Sequence, residues 1–393
     1  MPIMITEYGV PSSLGMAHKG TLNRDQGGHD EKEQGKIDAD LYNHIAGQHY
    51  AGAILFTWQD EWFKKTWNTM FFEQPAERRK YWLNVLTNEK MFGVLALDPS
   101  KADLIHIDGD LNDWNSLTKK DKTKLDVNVP GIKSMQVAHD EAYVYLAVEL
   151  SDNFDPAKQR IQLGVDTMKG GNKHSQELGS HKLDEGLESL ITFGKDEETQ
   201  VTVASNYDPH LRLYGRKYGM IPVQDQELKD DSGLFRPWKL AVDLEQKQPD
   251  SKMYGPFEDV QVGQLRRGTA GPGDSMTMWQ SKGNVIEMRI PWMLLGFTDP
   301  SSLTALSYKT GEDGRPASEQ VEGIRFVPWI EDVATHEIKG LGEPGSTFAV
   351  SKLPVYKWAP WNEVRYTERL KNSYYILKQN WTAAENSSVS QSN

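Results

Sequence analysis

The sequence predicts a chain of two textures, α/β followed by all-β. Three observations lead there. Residues 1–98 alternate strand, helix, strand, helix; residues 104–355 hold many short strands parted by Gly-, Pro- and Asp-rich turns; residues 356–393 open on apolar residues at helical spacing and end in a polar tail. A chain of 393 residues exceeds what one apolar core usually holds, about 250 residues, so more than one domain is expected. The boundary is expected near 98–104, where Pro99 and a polar run break the pattern.

In the first region "PIMITEYG" is a short apolar strand and "KIDADLYNHIAGQ" sets Ile37, Leu41 and Ile45 on one helical face. "GAILFTW" is a second strand, and "PAERRKYWLNVLT" is a second helix with Pro75 at its start. This order implies parallel pairing through right-handed crossovers. Two βα units are too few to close a barrel.

Beyond the boundary, "IKSMQVAHDEAYVYLAVEL" reads as a hairpin turning at His139, Asp140 and Glu141. "RIQLGVDT", "LESLITFG", "TQVTVASN", "NVIEMRIPW" and "EGIRFVPWI" add strands of similar length, the pattern of a large antiparallel β-sandwich. Residues 222–275 are polar and turn-rich and are expected to form long loops. "WNEVRYTERLKNSYYILKQ" places Val364, Leu370, Tyr374 and Leu377 on one side of a C-terminal helix over 361–379, followed by a disordered tail.

Composition narrows the function classes. A formal net charge of -12 with no Lys/Arg block argues against nucleic acid as a partner. The absence of Cys excludes disulfides, zinc–thiolate sites and thiol catalysis. No apolar run reaches the 18 or so residues of a membrane span. Twelve Trp and 15 Tyr suit both cores and sugar-binding faces.

The sharpest local feature is Glu7. In a strand, Ile3, Ile5 and Glu7 share one face, so Glu7 is the last residue of that face at the carboxyl end, where barrel enzymes place their chemistry. Ile54, Phe56 and Trp58 share a face of the second strand in the same way. A carboxylate near an indole platform suits a sugar site; the alternative is that Glu7 caps a backbone or pairs with an Arg.

"PIMITEYGV", followed after about fifty residues by "GAILFTWQDEWF", resembles the last two strands of the catalytic TIM barrel of glycoside hydrolase family 2 and its clan of retaining glycosidases. The resemblance covers about 97 residues and implies a partial (β/α) barrel with Glu7 as nucleophile and Trp58 as sugar platform. In that reading the long loop after the first strand brings His18, Arg24, Gln26 and His29 to the mouth, with Glu61 and Trp62 on the opposite rim. The family's acid/base, carried on the fourth strand, has no counterpart here. The chain therefore reads as the C-terminal part of a longer protein, unable to hydrolyse a glycoside alone, whose barrel flanks are covered by upstream strands, the sandwich, the C-terminal helix or another subunit.

"IHIDGDLNDWNSL" and "GNVIEMRIPWMLLGFTDP" are similar to the entry and late strand of carbohydrate-binding module family 9 and the related DOMON-like sandwiches. Sugar binding would need exposed aromatic faces. Trp114 and Trp292 lie inside the fold-defining motifs and are assigned to the core, which leaves Trp238 and Trp279 as the substrate-binding candidates. Asp108, Asp110 and Asp113 could supply oxygens to Ca²⁺, as could Asp184, Glu185 and Glu188, although neither set has the spacing of an EF-hand loop; turn-forming acids account for both without metal. No other cofactor is expected.

The expectation is thus the C-terminal region of a retaining glycoside hydrolase acting on poly- or oligosaccharide, with an appended carbohydrate-binding sandwich. The alternative is a non-catalytic binding or structural module of a cell-surface polysaccharide-processing protein. Either implies an extracellular or cell-surface location.

Overall fold

The computed structural model describes residues 2–247, 254–271 and 273–391. Strand β1 (Met4–Tyr8), helix α1 (Glu31–Gly47) and strand β2 (Gly52–Leu55) form the expected βαβ unit. The strands pair in parallel, Met4 opposite Gly52 and Tyr8 opposite Leu55. Helix α1 starts where Asp30 accepts the backbone N–H groups of Lys32 and Glu33 while the Glu33 carboxylate accepts that of Asp30, a reciprocal cap. Gln34 and Asp38, one turn apart, hold the chain just after β1 through the Val10 carbonyl and N–H. No further strand joins this pair among the described residues, and no barrel closes. Ile3, Met4 and Ile54 are 56%, 52% and 53% exposed, so much of the pair's apolar surface is open to water.

The helix expected from Pro75 is corrected to a short 3₁₀ helix, Ala76–Tyr81. Tertiary contacts outweigh helix propensity here. Arg78 donates to Asp299, Ser301, Asn362 and the Trp361 carbonyl, the Leu83 N–H goes to Glu141, and Trp82, Leu83, Val85 and Leu86 are all buried, apolar on more sides than one helical face allows.

The remainder is mostly strand. Two six-stranded sheets contribute to one apolar core in a sandwich-like arrangement. One sheet runs in the order Arg266–Arg267, Thr277–Lys282, Val285–Pro291, then β6 (Tyr143–Leu150), β5 (Ile132–His139) and β4 (Thr123–Leu125). The other runs Phe235–Pro237, Gln200–Ala204, Ser189–Phe193, then β7 (Gln159–Asp166), Arg325–Asp332 and Ile338–Lys339. β5 and β6 make the expected hairpin, whose turn is fixed by Asp140 accepting the Ala142 and Tyr143 N–H groups. The stretch expected as loops, 222–275, instead carries Phe235–Pro237, Lys239–Asp243 and Glu258–Gln261, the last two paired antiparallel; residues 248–253 and 272 of it lie outside the described residues.

The C-terminal expectation is also corrected. The 361–379 stretch opens with a strand, Tyr366–Leu370, which pairs antiparallel with β3 (Leu95–Pro99), and the helix begins only at Asn372 and runs to Gln391 through the expected tail. That helix packs on α1. Arg369 makes two hydrogen bonds each to Glu31 and Asp98, so three distant segments meet at one guanidinium. The core is continuous across the expected 98–104 boundary, since Trp62, Trp82 and Val85 belong to the cluster that holds Trp114 and Leu146. Among the described residues no helix is long and apolar enough to cross a membrane.

Candidate functional site

The carboxyl end of β1 delivers Glu7 to the surface. Hydrogen bonds tie together the segments around Glu89, whose carboxyl feels the charge of Glu7. The loop after β1 folds back on itself, with the Gln26 N–H on the His18 carbonyl at 2.9 Å, and this fixes His18. The Trp67 indole donates to His18 Nε2 at 3.2 Å. The Glu61 N–H bonds the Lys90 carbonyl at 3.0 Å, which sets the segment of Glu61 and Lys64 beside that of Glu89. Lys64 Nζ then lies 3.2 Å from Glu61 and 3.9 Å from Glu89, and 4.3 Å from the centre of the Phe56 ring.

Glu89 is the electrostatic centre of this cluster. Its pKa is raised, chiefly because the side chain is half-buried, and the charges of Glu61 and Glu7 push it the same way; Lys64 and His18 pull against them. Burial thus makes Glu89 readier to hold its proton than a free glutamate, while Glu7, whose charge it feels, is exposed. A half-buried carboxyl whose pKa is raised, close enough to a second carboxyl side chain to feel its charge, is a candidate for acid–base chemistry on a polar ring.

The structure brings Glu7, His18 and Glu61 into this neighbourhood and relocates the other expected residues. Trp58 is 57% exposed, and its ring contact is edge-on with Tyr374 of the C-terminal helix. Trp62 is corrected from rim to core: it is 4% exposed and packs on Tyr366. His29 is also corrected. It is largely buried, its Nε2 lies 3.0 Å from the Asp25 carbonyl, and its own carbonyl accepts from Ser275, so it braces the start of α1 rather than facing a mouth. Arg24 pairs with Asp40 at 2.6 Å. Glu89, Lys64 and Trp67 escaped sequence reading. Only the Glu61–Lys64 spacing of three was a local signal, and nothing local ties Glu89 to Glu7.

In the sandwich, Trp238 and Trp279 are corrected from exposed candidates to core, at 0% and 1% exposure. Trp238 is covered because the polar stretch Glu258–Gln261 returns as a strand, and the N–H of Val262 just after it bonds the Trp238 carbonyl. Trp279 donates its indole N–H to the Leu265 carbonyl and packs on Phe193. Trp114 and Trp292 are core as expected.

Asp108, Asp110 and Asp113 spend their oxygens on the local backbone: Asp108 on the Asp110 N–H, Asp110 on that of Asn112, and Asp113 on those of His106 and Trp114. Asp184 serves Glu185 and Ser351 in the same way, and Glu188 serves Thr167. Among the described residues no group of three or more His, Cys, Asp or Glu side chains could hold a metal ion. No protein-family model, no curated protein and no solved structure matches this chain.

Proposed function

We propose that this chain is the C-terminal region of a retaining glycoside hydrolase acting on poly- or oligosaccharide, with Glu7 as nucleophile and the strand-rich region as a carbohydrate-binding appendage. The observation that carries the reading is the uncovered β1–β2 pair. A parallel sheet is ordinarily buried on both faces, whereas this one exposes Ile3, Met4 and Ile54 and delivers a surface carboxylate at its carboxyl end. Upstream barrel strands, or a second polypeptide that supplies them, would cover that surface and bring the acid/base opposite Glu7. The location would then be extracellular or at the cell surface.

The test is a longer polypeptide in which this chain is preceded by its upstream reading frame, treated with a 2-deoxy-2-fluoroglycoside. Covalent labelling at Glu7, seen by peptide mass spectrometry and lost in Glu7→Gln, is the expected result. Hydrolysis unaffected by Glu7→Gln sinks the assignment. The second reading, a binding or structural module without catalysis, is favoured by the half-buried Trp67 and by the sandwich; sugar binding on a glycan array with no hydrolysis in the longer polypeptide would select it.

A further inference from the structure

The sandwich is left without a tryptophan platform, since Trp114, Trp238, Trp279, Trp292 and Trp329 are all in the core. A cavity lies elsewhere, along the open side where β4 and the Ile338–Lys339 strand are the edges of the two sheets. There the segment after β4 leans on the second sheet: a side chain at Gly340 would collide with Val129, and one at Gly131 with Ile330. The cleft measures about 860 Å³, within the 300–1,000 Å³ or so typical of small-molecule sites.

Its floor is apolar and partly aromatic, formed by Met135, Phe326, Pro328 and Phe348. Its rim is polar and carries both signs, Asp126, Glu337 and Glu343 against Lys339 and Lys352, and none of these five side chains makes an ion pair or hydrogen bond among the described residues. The remaining titratable groups are His181, buried with its ring nitrogens 3.2 and 3.3 Å from the Leu178 and Gly342 carbonyls, and His336, paired with Glu331. Free edges of the two strands add backbone donors and acceptors.

We propose that this cleft binds an uncharged saccharide, its CH face on the half-buried Phe348 and its hydroxyls on the rim. The near-balance of charge on the rim disfavours an anionic or cationic ligand, while unpaired side chains of both signs can each hydrogen-bond a hydroxyl. An apolar floor beneath a polar rim matches the two faces of a pyranose. The inference rests on the carbohydrate reading above and names a binding site for it.

The experiment is calorimetry of the chain with neutral xylo- and gluco-oligosaccharides, with glucuronate oligomers and decanoate as further arms. Neutral oligosaccharides should bind, with affinity falling tenfold or more in Phe348→Ala and about threefold in Lys352→Met, while Tyr375→Ala on the C-terminal helix leaves it unchanged. Thermal melting identifies any variant that has lost its fold, and Lys352→Met on the rim tests the cleft if Phe348→Ala does. Equal or tighter binding of glucuronate oligomers or decanoate overturns the proposal. So does the absence of any sugar binding, and in that case labelling of Glu7 still judges the catalytic reading separately. Binding that survives Phe348→Ala and Lys352→Met but disappears in Trp67→Ala overturns the cleft and leaves the carbohydrate reading standing.

Discussion

Trp114 donates its indole N–H to Glu287 at 2.7 Å, joining two buried side chains 173 residues apart. The other Glu287 oxygen collects the backbone N–H groups of Asp108, Gly109 and Asp110 at 3.1, 2.6 and 3.1 Å. The acid-rich turn at 108–114 is thus organised by a carboxylate on the Val285–Pro291 strand. Glu287→Ala leaves four donors without their acceptor, each worth roughly 1–3 kcal/mol when buried and unpaired. A loss of more than about 3 kcal/mol in urea denaturation is expected. Glu287→Gln, which keeps one acceptor oxygen, should lose less, and equal losses would contradict this account.

Asp38 should make stability depend on pH. Burial raises its pKa from 3.8 to about 8, against the opposing pulls of the Val10 N–H and Lys371. Because the folded value lies above the unfolded one, the folded chain holds a proton that the unfolded chain releases. Stability is full below about pH 4 and declines as pH rises toward 8, by at most ~1.4 kcal/mol per pH unit. Asp38 Oδ2 and Gln34 Oε1, one helical turn apart, are both buried without a partner, and a proton on Asp38 gives the pair a donor. Asp38→Asn supplies that donor permanently. Its melting temperature should vary less between pH 4 and 8 than that of the parent; an identical slope would exclude Asp38 as the source.

The buried pair Lys371–Asp60, at 2.7 Å, holds the last turn before the C-terminal helix against the segment that follows β2. Lys371 Nζ also bonds Ser12 and the Met91 carbonyl. Lys371→Met strands Asp60, already raised to about 6 by burial, with the Gly93 N–H as its remaining hydrogen-bond donor. The expected cost is about 3–5 kcal/mol. The double change Lys371→Met with Asp60→Asn should recover part of it, and a double-mutant cycle with no coupling would refute the pairing.

At the candidate site, Lys64 restrains the upward shift of Glu89. Lys64→Met should raise the Glu89 pKa further, read from its side-chain carboxyl carbon by NMR titration. Glu7→Gln should lower it, because one like charge is removed. A shift of the wrong sign in either variant would dissolve the electrostatic link between these groups.

Local alternation made much of the fold legible. The β5–β6 hairpin and the strands at 159–166, 189–193, 200–204, 285–291 and 325–332 all announce themselves by period and turn residues. What stayed hidden depends on partners far away in sequence. Tyr366–Leu370 is a strand because β3, far earlier in the chain, waits for it, and residues 76–86 abandon a helical pattern because Arg78 and Leu83 find partners on the strand-rich region. At the site, Glu7 was visible as the end of a strand, but Glu89 meets its charge, and Trp67 meets His18, only in the folded chain. Trp238 and Trp279 were misplaced because Gly-rich and charged neighbours mimic a loop, while the strands that cover them are themselves polar in composition.

The three-way clasp of Arg369 on Glu31 and Asp98 has a consequence for the order of events during synthesis. Glu31 of helix α1 and Asp98 of strand β3 leave the ribosome 338 and 271 residues before the guanidinium that clasps them. The opening hundred residues therefore wait, half-dressed, until the whole sandwich has been made, and a nascent chain stalled before residue 366 should hold them open to chaperones and proteases.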